Sequence, residues 1–201
     1  MRIGIFSGSF NPVHLGHVAL SEWFVKERVV DEVWLVCSPM NPLKADRMYE
    51  MAADADRQAM LRLAIQGCNG LRLSTIEDDM PRPSYSIHTL RRLRSLYPEH
   101  EFHFIMGSDN WQRLHKWYKW DELLREFHVV VYPRKGYNDG SGPDDYDQAM
   151  GIRLVDAPIY EVSSTQIRQW LVGDDRQVSE ARRWLCPAVF DYIMSHGLYR
   201  R

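Results

Sequence analysis

Short apolar runs recur along the chain, and each is separated from the next by a stretch with helical spacing. Ile3-Gly4-Ile5-Phe6 and residues 33–37, 71–76, 102–106 and 127–132 read as strands. Between them, residues 16–29, 54–67, 84–97 and 120–126 read as helices. Val18, Leu20, Phe24, Val25 and Val29 give the first helix its apolar spacing. Asp54 and Gly67 bound the second, and Ser84, following Pro83, is expected to cap the third. Such alternation reads as a parallel sheet with helices on both faces. Right-handed crossovers then place the loops after the strands along one edge, where ligands bind.

The expected fold is therefore α/β, a Rossmann-like doubly wound parallel sheet with a small C-terminal helical region. Residues 152–155 add a further strand. From Ser164 onward the pattern is helical, with Pro187 opening the last helix and Gly197 closing it. No linker is long enough to separate two domains. The reading is one domain over 1–201, with a core of 1–160 and a helical part at 161–201. Residues 136–150, with three glycines, one proline and four aspartates, read as a solvated loop.

Composition narrows the function. The 201 residues are 45% hydrophobic, enough for a real core and too many for global disorder. A net charge of −2 excludes a polybasic nucleic-acid binder, so any bound anion needs a local site. Cys37, Cys68 and Cys186 are far apart and form no CxxC pair, which points to reduced thiols and a cytoplasmic setting. The N-terminus lacks the long apolar stretch of a signal peptide, and no run reaches the roughly 18 apolar residues of a membrane span.

Two segments carry chemistry. The first loop runs Gly8-Ser9-Phe10-Asn11-Pro12-Val13-His14-Leu15-Gly16-His17, after a strand and into a helix. Backbone N–H groups at such a helix start attract phosphate, and two imidazoles add further donors. Gly16 removes a side chain where a ligand would approach. The second segment is Val162-Ser163-Ser164-Thr165-Gln166-Ile167-Arg168. Its hydroxyls can cap a helix or hold phosphate, and Arg168 lies one turn beyond Ser164.

With their HxGH and SSTxxR patterns, these segments resemble the signatures of the nucleotidylyltransferase superfamily. Within it the chain is similar to the bacterial nicotinate-nucleotide adenylyltransferases. The similarity extends through Pro83-Ser84-Tyr85-Ser86 with Thr89-Leu90, Gly107-Ser108-Asp109, Trp117-Tyr118 with Glu122, Arg134 before Gly136, and Gly197-Leu198-Tyr199-Arg200. The resemblance implies transfer of the adenylyl group of ATP to nicotinate mononucleotide, with Mg²⁺ and release of pyrophosphate. It implies that His14 and His17 contact the ATP phosphates, His17 nearest the α-phosphate. Ser164, Thr165 and Arg168 would hold the β- and γ-phosphates, and Lys44 would bridge the reacting phosphates. Gly8, Ser9 and Phe10 would pass backbone along the nucleotide. Gly107 and Asp109 would sit at the adenosine, with Asp109 on the ribose hydroxyls. Trp117 would stack on the pyridine ring, Ser86 and the Tyr118 backbone would bond its carboxylate, and Arg134 would serve the mononucleotide.

The same residues have plainer readings. Trp111, Trp117 and Trp120 can form one apolar face; Ser86 and Asp109 can cap helices; Lys44 can be a solvated cation. Two positions depart from the family pattern. Asn11 stands where Asp is frequent, which lowers negative charge near the phosphates. Leu43 stands where His is usual and cannot donate to phosphate, so that grip falls to Lys44, Asn41 or another group. The alternatives are an adenylyltransferase for nicotinamide mononucleotide or phosphopantetheine, or a non-catalytic nucleotide-binding regulator. No nucleic acid or membrane partner is expected.

Overall fold

Alternation along the strands divides the interior into two layers. In a computed structural model, which describes residues 1–39, 51–136 and 151–199, Val33, Leu35 and Cys37 of one strand enter one core while Trp34 and Val36 enter the other. The neighbouring strands repeat the pattern: Val130 and Tyr132 point one way, Val129 and Val131 the other. Strands buried on both faces need helices on both sides, and the sequence supplies them.

The strands are β1 (Arg2–Gly8), β2 (Glu32–Cys37), β3 (Leu71–Ser74), β4 (Glu101–Gly107), β5 (His128–Tyr132) and β6 (Ile152–Leu154). They form one sheet in the order β3-β2-β1-β4-β5-β6, with every pairing parallel. On the first face lie α1 (Leu15–Lys26) and α2 (Asp54–Ala64), joined by α6 (Ser164–Leu171), α7 (Asp175–Arg183) and α8 (Pro187–Ser195). Phe24, Met60, Ile167, Ala181 and Ile193 bring these five helices into one core with Phe6 and Leu35. On the second face lie α3 (Ser86–Leu96) and α5 (Trp120–Glu126), through Ile87, Leu90, Leu93, Leu123 and Leu124. A four-residue α4 (Ser108–Trp111) follows β4 directly.

The strands fall where expected, except that β3 stops at Ser74 rather than residue 76; the second helix stops at Ala64 short of Gly67, and further differences lie at helix ends. The first helix stops at Lys26 because Arg28 turns left-handed (φ 53°) and sends the Val29 N–H back to the Phe24 carbonyl. Val29 remains buried beyond the helix. Ser84 does not cap α3. The first turn closes on the Tyr85 carbonyl, which accepts from the His88 and Thr89 N–H groups at 2.9 and 3.2 Å. Ser84 Oγ is instead buried with no hydrogen-bond partner among the described residues. Pro187 does open the last helix, and Gly197 (φ 62°) lies two residues beyond its end. Asn41, Leu43, Lys44 and residues 137–150 lie outside the described residues.

The packing makes a direct prediction. Leu35 is fully buried on β2, so Leu35→Ala should cost about 2–5 kcal/mol in urea unfolding. Leu96, 54% exposed at the end of α3, should change stability by no more than about 0.5 kcal/mol as Leu96→Ala. Equal losses for the two would contradict the assignment of the core.

Candidate active site

The strand order reverses between β1 and β4, so their following loops diverge and leave a crevice at the carboxyl edge of the sheet. The loop after β1 enters it through an unusual conformation. Phe10 has φ 43°, left-handed for a bulky residue, at a cost on the order of 1–3 kcal/mol. Burial of its ring offsets that cost. It is 2% exposed and meets Phe6 edge-on at 5.9 Å and His17 at 5.1 Å. The chain then turns through a cis Asn11–Pro12 peptide into α1.

His14 is the N-cap residue of α1, and His17 lies in its first turn. Their rings stack with centroids 3.6 Å apart. The His14 backbone N–H donates to His17 Nδ1 at 3.2 Å, so in the neutral His17 ring Nε2 carries the proton. His14 is buried, and its Nδ1 has no hydrogen-bond partner among the described residues. Burial, followed by the nearby Arg134 charge, pushes its pKa down to about 3, so at neutral pH it is an uncharged imidazole. Gly16 lies in the same crowded turn and borders the cavity beside the histidines. A Cβ there would lie 3.0 Å from Tyr160 Cβ and 3.1 Å from both His14 Nδ1 and Val162 Cγ1.

A cavity of about 360 Å³ opens beside the histidines, with Asp109, Arg134, Tyr160 and Gln166 in its lining. Asp109 does not cap α4, whose N-cap is Gly107; its Oδ1 faces Arg134 Nε at 3.4 Å. The Arg134 N–H donates to Ser108 Oγ at 3.0 Å, tying the ends of β4 and β5 together. At Gly107 a Cβ would fall 2.4 Å from Asp109 Oδ1 and 2.9 Å from Arg134 Cγ, so both side chains would have to shift. Arg134, assigned by resemblance to the mononucleotide, thus shares the cavity of His14 and His17.

The second motif docks onto the first loop. Ser163, rather than Ser164, caps α6, accepting from the Gln166 N–H at 3.2 Å. Ser164 Oγ donates to the Pro12 carbonyl at 2.9 Å, and Arg168 donates to the Asn11 carbonyl at 2.8 Å. Thr165 is exposed beside them. Asn11 is 3% exposed, and its Oδ1 accepts from the Ala52 N–H at 3.0 Å and the Tyr199 hydroxyl at 2.7 Å. Its side-chain oxygen is a buried acceptor within the protein, a structural role that the charge comparison alone did not show.

Sequence reasoning missed Arg57. Fully buried, it donates to the carbonyls of Ser9, Ser38 (2.9 Å) and Ala52 (3.2 Å) and pairs with Asp54 at 2.5 Å. Its spacing could have revealed it. Arg57 falls in register with Met60, Leu61 and Ala64, the buried stripe of α2.

On the other side of the sheet, Ser86 opens α3, and Tyr85 before it packs on Tyr118 at 4.6 Å. This contact sets the start of α3 beside the turn that carries Tyr118. Trp117 meets Phe104 edge-on at 5.9 Å, and its Nε1 is buried without a partner among the described residues. Trp111 and Trp117 both border the second core, whereas Trp120 is 39% exposed, so the three tryptophans do not form one buried face. Lys44 lies outside the described residues.

Known proteins resemble this chain throughout its length. A family model described as cytidylyltransferase-like matches residues 5–170. A Bacteroides thetaiotaomicron protein named "Probable nicotinate-nucleotide adenylyltransferase" is 42% identical over 198 residues, covering 98% of this chain and 92% of that one. A Flavobacterium johnsoniae protein of the same name is 34% identical over 201 residues, with both chains fully covered. Among solved structures, Plasmodium falciparum nicotinic acid mononucleotide adenylyltransferase complexed with NaAD shares the fold, with a TM-score of 0.79 at 19% identity over 98% of this chain and 97% of that one.

The environment of His14 sets a pH response. Its pKa falls from 6.5 to about 3 on folding, so below pH 6.5 the unfolded chain takes up a proton that the folded chain refuses. This group therefore removes stability as pH falls from about 6.5 toward 3 and contributes no pH dependence well above 6.5. The slope is at most about 1.4 kcal/mol per pH unit. Urea midpoints measured between pH 7.5 and 4 should fall less steeply for His14→Asn than for the natural protein. Parallel profiles would contradict a neutral buried His14.

Proposed function

From its membership of the cytidylyltransferase-like family, among the nicotinate-nucleotide adenylyltransferases, we infer that the chain transfers the adenylyl group of ATP to nicotinate mononucleotide. The observation that carries the site assignment is the docking of Ser164 and Arg168 onto the turn that leads into the stacked histidines. An acceptor phosphate oxygen attacks the α-phosphorus in line. A new P–O bond forms there as the bond to the β-phosphate bridging oxygen breaks, and pyrophosphate leaves with that electron pair. The products are nicotinate adenine dinucleotide and pyrophosphate. No protein nucleophile takes part, so the chain acts by positioning and by stabilising charge.

In this reading the His17 Nε2–H donates to the α-phosphate, where negative charge is redistributed in the transition state. His14 supplies a neutral second imidazole. Ser164, Thr165 and Arg168 hold the phosphates that leave. Gly8, Ser9 and Phe10 pass along the nucleotide, and Asp109 takes the ribose hydroxyls. Arg134 acts on the ATP side, because its charge already reaches His14 and its guanidinium lies against Asp109. Ser86, Trp117 and Tyr118 form the pyridine side, and Lys44 bridges the two substrates.

Mg²⁺ enters with ATP as the Mg-ATP substrate. Arg134 and the two imidazoles line the cavity with Asp109 and Glu161, and among the described residues no three His, Cys, Asp or Glu side chains converge on a metal position. That donor set fits phosphate, so when Mg-ATP is bound the phosphates and water would supply most of the ion's ligands. Two water-soluble substrates and free thiols at Cys37, Cys68 and Cys186 support a cytoplasmic location. No helix among the described residues is long and apolar enough to cross a membrane.

Pyrophosphate release with Mg-ATP should be strongest with nicotinate mononucleotide when that compound, nicotinamide mononucleotide and phosphopantetheine are offered separately. A preference for nicotinamide mononucleotide would keep the chemistry and overturn the pyridine-side assignment. ATP binding without release in any of the three would favour a regulator. His17→Ala should lower kcat by about a hundredfold or more with the fold intact. Trp117→Ala should raise KM for the mononucleotide more than for ATP, and equal effects would argue against ring stacking.

A further inference from the structure

The segment after α8 makes a contact that the functional reading does not use. Beyond Gly197 (φ 62°), the Leu198 N–H returns to the Ile193 carbonyl at 3.0 Å, and Tyr199 itself adopts φ 63°. A left-handed conformation at a bulky aromatic residue persists only where its surroundings hold it. Two contacts hold it here. The Tyr199 ring packs against the first core, and its hydroxyl donates to Asn11 Oδ1 at 2.7 Å across 188 residues of sequence. Burial raises the hydroxyl pKa well above its ordinary value of 10, so it remains a donor throughout the neutral range.

Asn11 gathers contacts from three parts of the fold. Its side-chain oxygen accepts from Tyr199 and from Ala52 just before α2, while its backbone carbonyl accepts from Arg168 on α6. Because Oδ1 must accept the Ala52 N–H, the orientation of the amide is fixed, and the tyrosine hydroxyl is left as the second donor to that oxygen. The donors that hold the Asn11 side chain therefore also restrain the backbone of the residue on whose carbonyl Arg168 rests. We propose that Tyr199 is a positioning residue of the triphosphate site, acting through Asn11 to set the carbonyl that anchors the Arg168 guanidinium. This rests on the reading of Arg168 as a ligand of the leaving phosphates. Tyr199 touches neither substrate in this scheme.

The test compares Tyr199→Phe and Asn11→Ala with the natural protein in steady-state kinetics, Mg-ATP binding by calorimetry and thermal melting. Tyr199→Phe should weaken Mg-ATP binding and raise its KM by about three- to tenfold, the loss expected for one hydrogen bond. KM for the mononucleotide should stay within about twofold. Asn11→Ala should reproduce the pattern, and adding Tyr199→Phe to it should produce no further loss. Asn11→Asp, which keeps the acceptor oxygen, should retain the natural KM for Mg-ATP within about twofold. In an Arg168→Lys background the Tyr199→Phe effect on Mg-ATP should shrink, because the group through which it acts has changed. A folded Tyr199→Phe protein with lower melting temperature but unchanged Mg-ATP parameters would overturn the proposal, as would equal changes for both substrates. A natural protein that binds Mg-ATP but transfers no adenylyl group would refute the functional reading alone. Weaker Mg-ATP binding by Tyr199→Phe would then still support the positioning role.

Discussion

A guanidinium with no exposure to solvent constrains the whole carboxyl edge of this sheet. Arg57 sits on the buried stripe of α2, where an unsatisfied charge would cost several kcal/mol. It is satisfied by carbonyls that belong to three different segments, Ser9 after β1, Ser38 after β2 and Ala52 before α2, together with the Asp54 carboxylate. Each of those segments must adopt the conformation that points its oxygen inward. The loop that carries the histidines is therefore fixed from beneath by a charge that needs it. Buried charges of this kind favour one arrangement of backbone over its neighbours, because alternatives leave donors unpaired.

Above that anchor, the histidine loop is held from two further directions. Helix α6 reaches the Asn11 and Pro12 carbonyls, and the segment beyond α8 reaches the Asn11 side chain. The helices that follow β6 also share one core with α1, α2 and the central strands. They are structurally part of the support of the site rather than an appendage beside it. The second face of the sheet is organised more simply, by Leu and Ile side chains of α3 and α5 and by the Arg91 and Arg94 pairs with Glu126. Ser86, Trp117 and Tyr118 therefore lie beside an apolar layer, while the histidine loop rests on a polar network.

The strands, their parallel order and the pairing of the two motifs were legible because they depend on periodicity and on local residue type. Val33 to Cys37 alternates between two cores, and that continuous apolar run shows in the sequence. Helix ends were less legible. Ser84 has the chemistry of a cap, yet Tyr85 occupies that position because the first turn of α3 closes on its carbonyl. Gly16 suggested room for a ligand, and it does border the cavity, but its close packing on Tyr160, His14 and Val162 was not readable from the sequence. Asn11 suggested a charge difference, but its partners, Ala52 and Tyr199, lie 41 and 188 residues away. Local sequence holds no signal for contacts at that distance. Arg57 is the exception, since a charge in register with an apolar stripe marks a buried network through its spacing alone.

The contact between Asn11 and Tyr199 also bears on how the chain comes to be active as it is made. Synthesis runs from the amino end, so the β1 loop emerges before α6 and the Tyr199 segment. Its hydrogen bonds to Arg168 and Tyr199 wait for residues translated far later. A nascent chain can lay down β1, β2 and β4 and begin to bury both cores while the turn at Asn11 still lacks two of its partners. The loop after β1 is thus completed only by residues that lie 157 and 188 positions further along, later than the strands beside it can pair.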